Sequence, residues 1–196
     1  MCVDAAQPKR PDWNRLYEVA AGQEGLFTTR QAAEAGYSPQ LLVHYVDSGR
    51  ALRVRRGIYR LVHFPAGEHE DLVAAWLWSE QAGVVSHQTA LALHDLSDVL
   101  PALLHLTFPT AWLKRRFRVP DGIVLHHADI PLDDRTWFGA VPTTSVRRTL
   151  NDCAIAGLTP DLLRQGAEQA LRRGIVKLSD LGPVHTALAP FGGLAA

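Results

Sequence analysis

Arginine is concentrated in one short stretch of the sequence. Five arginines lie within eleven residues, at Arg50, Arg53, Arg55, Arg56 and Arg60. Guanidinium groups bind phosphate through paired planar donors, and a cluster of them attracts a protein to the DNA backbone. As an alternative, the same five arginines could belong to a solvent-exposed hairpin in which their charges only keep an edge strand soluble. We interpret Arg53, Arg55 and Arg56 as DNA contacts because of the segment that precedes them.

That preceding segment carries side chains that can read bases. Ser38 followed by Pro39 is typical of a helix start and Gly49 of a helix end, which predicts a helix over residues 39–48. Ser38, together with Thr29 at the start of the helix before it, is predicted to bind phosphate. The face of the helix opposite its apolar residues presents Gln40, Val43 and His44. The two polar side chains can bond base edges in the major groove, and the valine can contact a thymine methyl group.

Neighbouring elements must hold these side chains in place. Thr28 or Thr29 can cap a short helix over residues 30–35, and Gly36 then reverses the chain. After the second helix the apolar pattern alternates on both sides of a turn at residues 55–57, which predicts a β-hairpin. Two short helices followed by a hairpin are typical of a winged helix-turn-helix. The second helix enters the major groove, and the hairpin, or wing, contacts the backbone.

Motifs of the common enzyme classes are missing from the sequence. It has no glycine loop ending in Gly-Lys-Ser/Thr and no His-Glu-x-x-His. No lysine has an acidic residue two positions before it, which excludes a common pattern of metal-dependent nucleases. His87 and His94 lie two helical turns apart, farther than two ligands of one metal normally sit. We expect no catalytic residues, no metal ion and no other cofactor.

The rest of the chain predicts a second domain. Proline and glycine at positions 65 and 67 suggest a boundary, so residues 1–64 are interpreted as the winged helix-turn-helix and residues 65–196 as another domain. Helices are predicted over residues 13–21, 68–82, 87–96, 145–157 and 161–174, strands over 102–109 and 122–128, and a loop over 129–138. The predicted fold class is α+β: an N-terminal winged helix-turn-helix followed by a mixed α/β domain with a small sheet.

Charge is unevenly distributed although the formal net charge is zero. Up to Pro65 there are nine lysines and arginines against six acidic residues, and beyond it eleven against fourteen. A basic first part fits a DNA-binding role.

A second basic cluster lies farther along the chain. It consists of Lys114, Arg115, Arg116 and Arg118, next to Trp112 and Phe117. Three interpretations stay open: a solvated loop, additional DNA contacts, or a surface that docks an acidic partner protein. Arg147 and Arg148, which are predicted to project from their helix, extend the candidate partner surface.

Composition is that of a globular protein. The 196 residues, 47% of them hydrophobic and 20% charged, suffice for one large or two small cores. The sequence begins without the apolar segment of a signal peptide and holds no apolar run of about eighteen residues. Its two cysteines, Cys2 and Cys153, suggest reduced thiols. We expect a cytoplasmic protein without a membrane partner.

Three motifs resemble those of a known family. The helices that lead into RALRVRRGIYRL resemble the N-terminal winged helix of the AbiEi antitoxins of type IV toxin–antitoxin systems, and SHQTALALHDL and VPTTSVRRTLNDCA resemble motifs that follow it there. The resemblance implies an antitoxin that represses its own operon and neutralises a nucleotidyltransferase-like toxin. Its DNA partner would be an inverted-repeat operator bound by two copies of the chain. Two alternatives stay open: an antitoxin that promotes covalent modification of its toxin, and a winged-helix regulator without a toxin.

Overall fold

The chain forms two compact units in a computed structural model that describes residues 10–65 and 67–194. Unit 1 extends to residue 81, and unit 2 begins at residue 82. Each unit combines helices with one small sheet, so the predicted α+β class is confirmed. Within the described ranges, no helix is both long and apolar enough to cross a membrane.

Unit 1 contains four helices and a three-stranded sheet among its described residues. They are α1 (Trp13–Ala21), β1 (Leu26–Thr28), α2 (Thr29–Glu34), α3 (Pro39–Asp47), β2 (Ala51–Arg55), β3 (Ile58–Leu61) and α4 (Glu70–Trp78). The sheet order is β1-β3-β2, and both pairings are antiparallel. The first three helices and the hairpin start and end within one residue of the predicted positions, because capping residues and glycines mark their ends.

The sheet of unit 1 is covered on both faces. Leu26 and Phe27 are adjacent on β1 and therefore point to opposite faces, yet both are fully buried. Phe27 belongs to the core that α1, α2 and α3 form, and α4 packs against β1 and β3. The structural division at residues 81 and 82 therefore differs from the predicted boundary at 64 and 65. Helix α4 groups with unit 1 because it covers a face of the wing sheet.

Unit 2 contains the remaining helices and a five-stranded sheet. They are β4 (Val84–Val85), α5 (His87–Leu93), β5 (Leu104–Phe108), β6 (Ile123–His127), β7 (Arg135–Phe138), β8 (Val141–Thr144), α6 (Val146–Ile155), α7 (Pro160–Arg172) and α8 (Gly182–Leu188). The sheet order is β6-β5-β4-β8-β7. Strands β5 and β6 are parallel, as are β4 and β8, whereas β4–β5 and β7–β8 are antiparallel.

The helical core of unit 2 is apolar and includes Leu91 of α5, Leu150 of α6 and Leu163 of α7. Cys153 lies in this core, and burial raises its thiol pKa to about 12, so the group is inert at neutral pH. Cys2 lies outside the described residues.

Three elements of unit 2 were not predicted. Strand β7 lies inside the segment predicted to be a loop, and β8 and α8 also have no counterpart in the sequence analysis. Residues 135–137 of β7 are exposed, and β8 contains Pro142, so neither segment shows the apolar alternation that predicts a strand. Helix α8 has only seven residues and begins with a glycine and a proline.

Candidate functional site

Thr28, and not Thr29, caps the first helix of the helix-turn-helix. The Thr28 hydroxyl accepts a hydrogen bond from the backbone N–H of Gln31 (3.1 Å), and the Gln31 side-chain oxygen accepts one from the Thr28 N–H (2.8 Å). This reciprocal pair is a capping box. Thr29 instead donates its backbone N–H to the carbonyl of Gly57 (2.9 Å) and its hydroxyl to the same oxygen (3.3 Å). The predicted capping role of Thr29 was therefore wrong: this residue fastens α2 to the wing.

Helix α3 presents the predicted base-reading side chains to solvent. Ser38 caps the helix by accepting a bond from the Leu41 N–H (3.2 Å), and Pro39 occupies its first turn. Leu42 is buried on the inner face. The outer face consists of the exposed side chains Gln40, Val43 and His44. The valine is 58% exposed, so its methyl groups are accessible to a partner.

The wing lies next to this helix-turn-helix. Helix α3 packs against β2, and the turn of the wing is bonded to α2 through Gly57. The pairing of β2 with β3 shifts register between Arg53 and Arg55, which is a β-bulge at Val54. A bulge bends and twists the strand that carries it, so it changes the direction in which Arg55 and Arg56 project.

The arginines of the wing divide into two groups. Arg53 and Arg56 are exposed and Arg55 is half-buried, and among the described residues none of these three forms an ion pair. Arg60 is different, because its Nη1 pairs with Glu70 Oε2 of α4 at 2.7 Å and both side chains are largely buried. Arg50 lies over the Tyr45 ring, 5.3 Å from its centroid. Arg53, Arg55 and Arg56 therefore remain available for phosphate.

The comparisons with known proteins support a regulatory role for the N-terminal part, which contains the helix-turn-helix and the wing. A family model described as "Transcriptional regulator, AbiEi antitoxin" matches residues 14–62. The predicted AbiEi resemblance is confirmed for this segment. The AbiEi segment runs from the second residue of α1 to just beyond β3, so it contains the helix-turn-helix and the wing. The description of this family supports a role in regulation and as an antitoxin.

The other comparisons add little. No curated protein matches the sequence. The crystal structure of the RV2827C protein from Mycobacterium tuberculosis is similar at 14% identity over 97% of this chain and 84% of that chain, with a TM-score of 0.39. That score is too low to support a conclusion about fold or function.

Outside the AbiEi segment, the second basic cluster is an exposed loop between β5 and β6. Trp112 and Phe117 contact the buried ring of Phe108, with ring centroids 5.2 and 5.5 Å from it. The charged residues of the loop are exposed: Lys114, Arg115, Arg116 and Arg118. The Arg115 guanidinium stacks on the Trp112 ring at 4.1 Å. The aromatic residues thus fix the loop to the sheet and leave its cations facing solvent.

Arg148 is not part of an outward-facing surface, contrary to the prediction. Its Nε donates to both carboxylate oxygens of Asp152 (2.8 and 2.9 Å), and its Nη1 lies 3.7 Å from Asp134. Burial raises the pKa of Asp152, and Arg148 opposes that shift. Arg147 is more exposed but also pairs with Asp134 at 2.5 Å. Both arginines therefore tie α6 to the loop before β7.

Three histidines of unit 2 come together although they are far apart in sequence. A ring nitrogen of each of His87, His105 and His126 lies within 4.8 Å of the others. Burial, followed by the neighbouring imidazoles, lowers the pKa of His87 to about 3 and that of His126 to about 4, so both are neutral at pH 7. His94 lies elsewhere and bonds the Thr144 carbonyl at 2.8 Å. Sequence spacing gives no sign of this cluster, because His105 and His126 lie on strands far from the helix of His87 in the chain.

Proposed function

We propose that unit 1 binds operator DNA and that the chain is the antitoxin of a toxin–antitoxin system, which represses its own operon. The observation that carries the proposal lies inside the AbiEi segment. There, an exposed α3 face occurs together with three wing arginines that form no ion pair with any described residue. Ser38 and the arginines would contact phosphate, whereas Gln40, Val43 and His44 would contact bases. The two proposed partners, operator DNA and a bacterial toxin, are found in the cytoplasm, so the protein would act there.

Two copies of the chain on an inverted repeat would supply the affinity. One α3 face reads only a few base pairs, and helix-turn-helix proteins commonly double the contacts by placing two recognition helices about one turn of DNA apart. The operator is therefore expected to be palindromic. The homodimer would form on DNA.

The test is a binding titration of the full chain on the DNA upstream of its own gene. We expect a specific complex whose affinity falls steeply between about 50 and 200 mM salt, since each phosphate contact contributes about 0.9 to the slope of log K against log salt. Footprinting should show two protected half-sites related by symmetry. No complex with this DNA, or an affinity independent of salt, would contradict the DNA-binding proposal.

For the second role, we propose that unit 2 binds a nucleotidyltransferase-like toxin. The exposed loop of Lys114, Arg115, Arg116 and Arg118 supports this, because cations held in place by anchored aromatic residues suit an acidic protein surface. Arg147 can contribute at the edge, but Arg148 is occupied by two carboxylates.

Co-expression of the full chain with the product of the adjacent gene tests this role. We expect growth to be restored and the two proteins to co-purify. The double variant Lys114→Ala with Arg116→Ala should weaken the complex. Arg172→Ala with Arg173→Ala is the matched control, since it removes the same charge from another exposed site in unit 2. No rescue and no complex would remove the antitoxin role and leave DNA binding unaffected.

A further inference from the structure

We propose that His87, His105 and His126 form a binding site for a divalent transition-metal cation of the zinc class, with water as the fourth ligand. The proposal concerns unit 2 and does not depend on the proposed DNA or toxin partners. It replaces the expectation, drawn from His87 and His94, that the protein holds no metal.

The backbone places the three imidazoles on one side of the sheet. Strands β5 and β6 run parallel, and His126 lies opposite Thr107, which shares a face of β5 with His105. The start of α5 is bound to β5 twice. The Ser86 N–H donates to the His105 carbonyl (3.0 Å), and the His105 N–H donates to the Thr89 hydroxyl (2.9 Å). His87 is thereby held over the two strand histidines by regular structure and not by a loop.

One separation, between two nitrogens that are within hydrogen-bond distance, is close to that of a tetrahedral site, and the His87 nitrogen lies within 4.8 Å of both. His105 Nδ1 and His126 Nε2 are 3.0 Å apart. Two nitrogens bound to zinc at 2.0–2.1 Å with a tetrahedral angle are about 3.3 Å apart. The ring of His87 stacks on that of His126 with centroids 3.5 Å apart. Because the lone pairs lie in the ring planes, binding requires a rotation of His87 that separates this stack.

A second set of contacts favours one tautomer of His87. The Ser86 hydroxyl lies 2.9 Å from His87 Nδ1, and Thr107 donates a hydrogen bond to the same hydroxyl oxygen (2.8 Å). When Nδ1 carries the proton and donates to Ser86, the lone pair of Nε2 is left for a metal. Ligating histidines in metal sites typically have such a partner on the other nitrogen.

The backbone at His87 has an uncommon conformation, which it shares with four other non-glycine residues of the described chain. Its φ is +51°, in the left-handed region that residues other than glycine seldom adopt. Strained backbone of this kind is concentrated at functional sites, where the surrounding structure enforces it. Here it occurs at the first residue of α5, where the ring turns toward β5 and β6.

The ligand chemistry selects the class of metal. Within the described part of the chain, the cluster contains imidazoles and neither a carboxylate nor a thiolate. Imidazole suits zinc, cobalt, nickel and copper, whereas magnesium and calcium require oxygen ligands. Three protein ligands leave one position of a tetrahedral ion for water, as in zinc sites that stay open.

Metal titration of the full chain tests the proposal. After treatment with a chelator, the protein should bind one equivalent of Co²⁺ with the visible absorption of a tetrahedral complex, and Zn²⁺ should displace the cobalt. The melting temperature of unit 2 should rise on binding. Mg²⁺ should have no effect. A wild-type chain that binds no cobalt or zinc, or binds them without a tetrahedral spectrum, would overturn the proposal.

Variants identify the ligands. His126→Gln should weaken cobalt binding on the order of 100-fold or more, and Ser86→Ala by about 10- to 100-fold through the tautomer of His87. His127→Gln is the matched control, because its exposed side chain is the next one on the same strand and points to the other face. Equal losses in His126→Gln and His127→Gln, or no loss in His126→Gln, would place the metal elsewhere and overturn the assignment.

Discussion

The wing arginines proposed to bind DNA and the arginines of α6 are in different electrostatic states. In the wing, Arg53, Arg55 and Arg56 have no ion-pair partner among the described residues. In unit 2, Arg147 and Arg148 are both bound by carboxylates. Within the described residues, a double arginine therefore has no carboxylate partner in one place and forms a structural connection in the other. The difference lies in whether the fold supplies acidic neighbours, and it can be tested with substitutions.

The largest effect is expected for the stability of unit 2. Arg148→Ala should lower its free energy of unfolding by about 3 kcal/mol, because the poorly exposed carboxylate of Asp152 loses its counter-charge. Arg147→Ala, the neighbouring control, should have a smaller effect, since that side chain is half exposed and Asp134 keeps Arg148 nearby. Urea unfolding followed by tryptophan fluorescence measures both. Equal stability of the two variants would show that Arg148 is not the structural member of the pair.

DNA binding, in contrast to the stability of unit 2, should depend on the arginines of the wing. Arg55→Ala with Arg56→Ala is expected to weaken binding by roughly 10- to 100-fold on all DNA sequences and to reduce the salt slope by about 0.9 for each phosphate that is no longer bound. Salt titrations on operator and unrelated DNA measure both quantities. Lys114→Ala with Arg116→Ala should leave them unchanged. An equal decrease in this second variant would show that the loop of unit 2 also binds DNA.

Sequence preference should depend on α3 and not on the wing. His44→Ala is expected to reduce discrimination between the operator and DNA altered at the contacted base pair by about 1–2 kcal/mol, with little change in binding to unrelated DNA. Competition titrations with the two DNAs measure the difference. If the wing variant changed preference and His44→Ala did not, the roles of the two elements would be reversed.

The smallest effect should come from Arg60. It belongs to the wing but is paired with a carboxylate, as Arg147 and Arg148 are in unit 2. Arg60→Ala is expected to lower the stability of unit 1 by about 1 kcal/mol, because it loses a single hydrogen-bonded contact to Glu70, whereas Arg148 contacts two carboxylates. Urea unfolding measures this change, and the salt slope of DNA binding should stay the same. A reduced slope would show that Arg60 leaves Glu70 to contact phosphate.

Local signals explain why most of unit 1 could be predicted. Ser38, Pro39 and Gly49 mark the ends of α3 by short-range chemistry, and Gly57 has the positive φ (+77°) that the hairpin turn needs. The exposed positions of α3 follow from helical spacing alone. What failed here was the choice between Thr28 and Thr29, since either threonine can cap and only the reciprocal bond with Gln31 decides.

Unit 2 depends on contacts that the sequence does not display. The histidine cluster forms because β6, β5 and the start of α5 are neighbours, and no spacing between positions 87, 105 and 126 reveals that. Of the two carboxylates that hold Arg148, Asp152 is four residues later on the same helix, but Asp134 lies more than ten residues earlier in the chain. Long-range pairing sets these features, whereas periodicity reports only which face of one element is apolar.

The parallel pairing of β5 with β6 restricts how far the loop between these strands can be shortened. The chain leaves β5 at Phe108 but enters β6 beside Leu104, so residues 109–122 have to travel back along the strand by about 13 Å at 3.3 Å per residue. A two-residue turn cannot bridge that distance. The cationic loop is consequently also the tether of an edge strand, and a homologue that shortened it would need to give up β6, and with it His126.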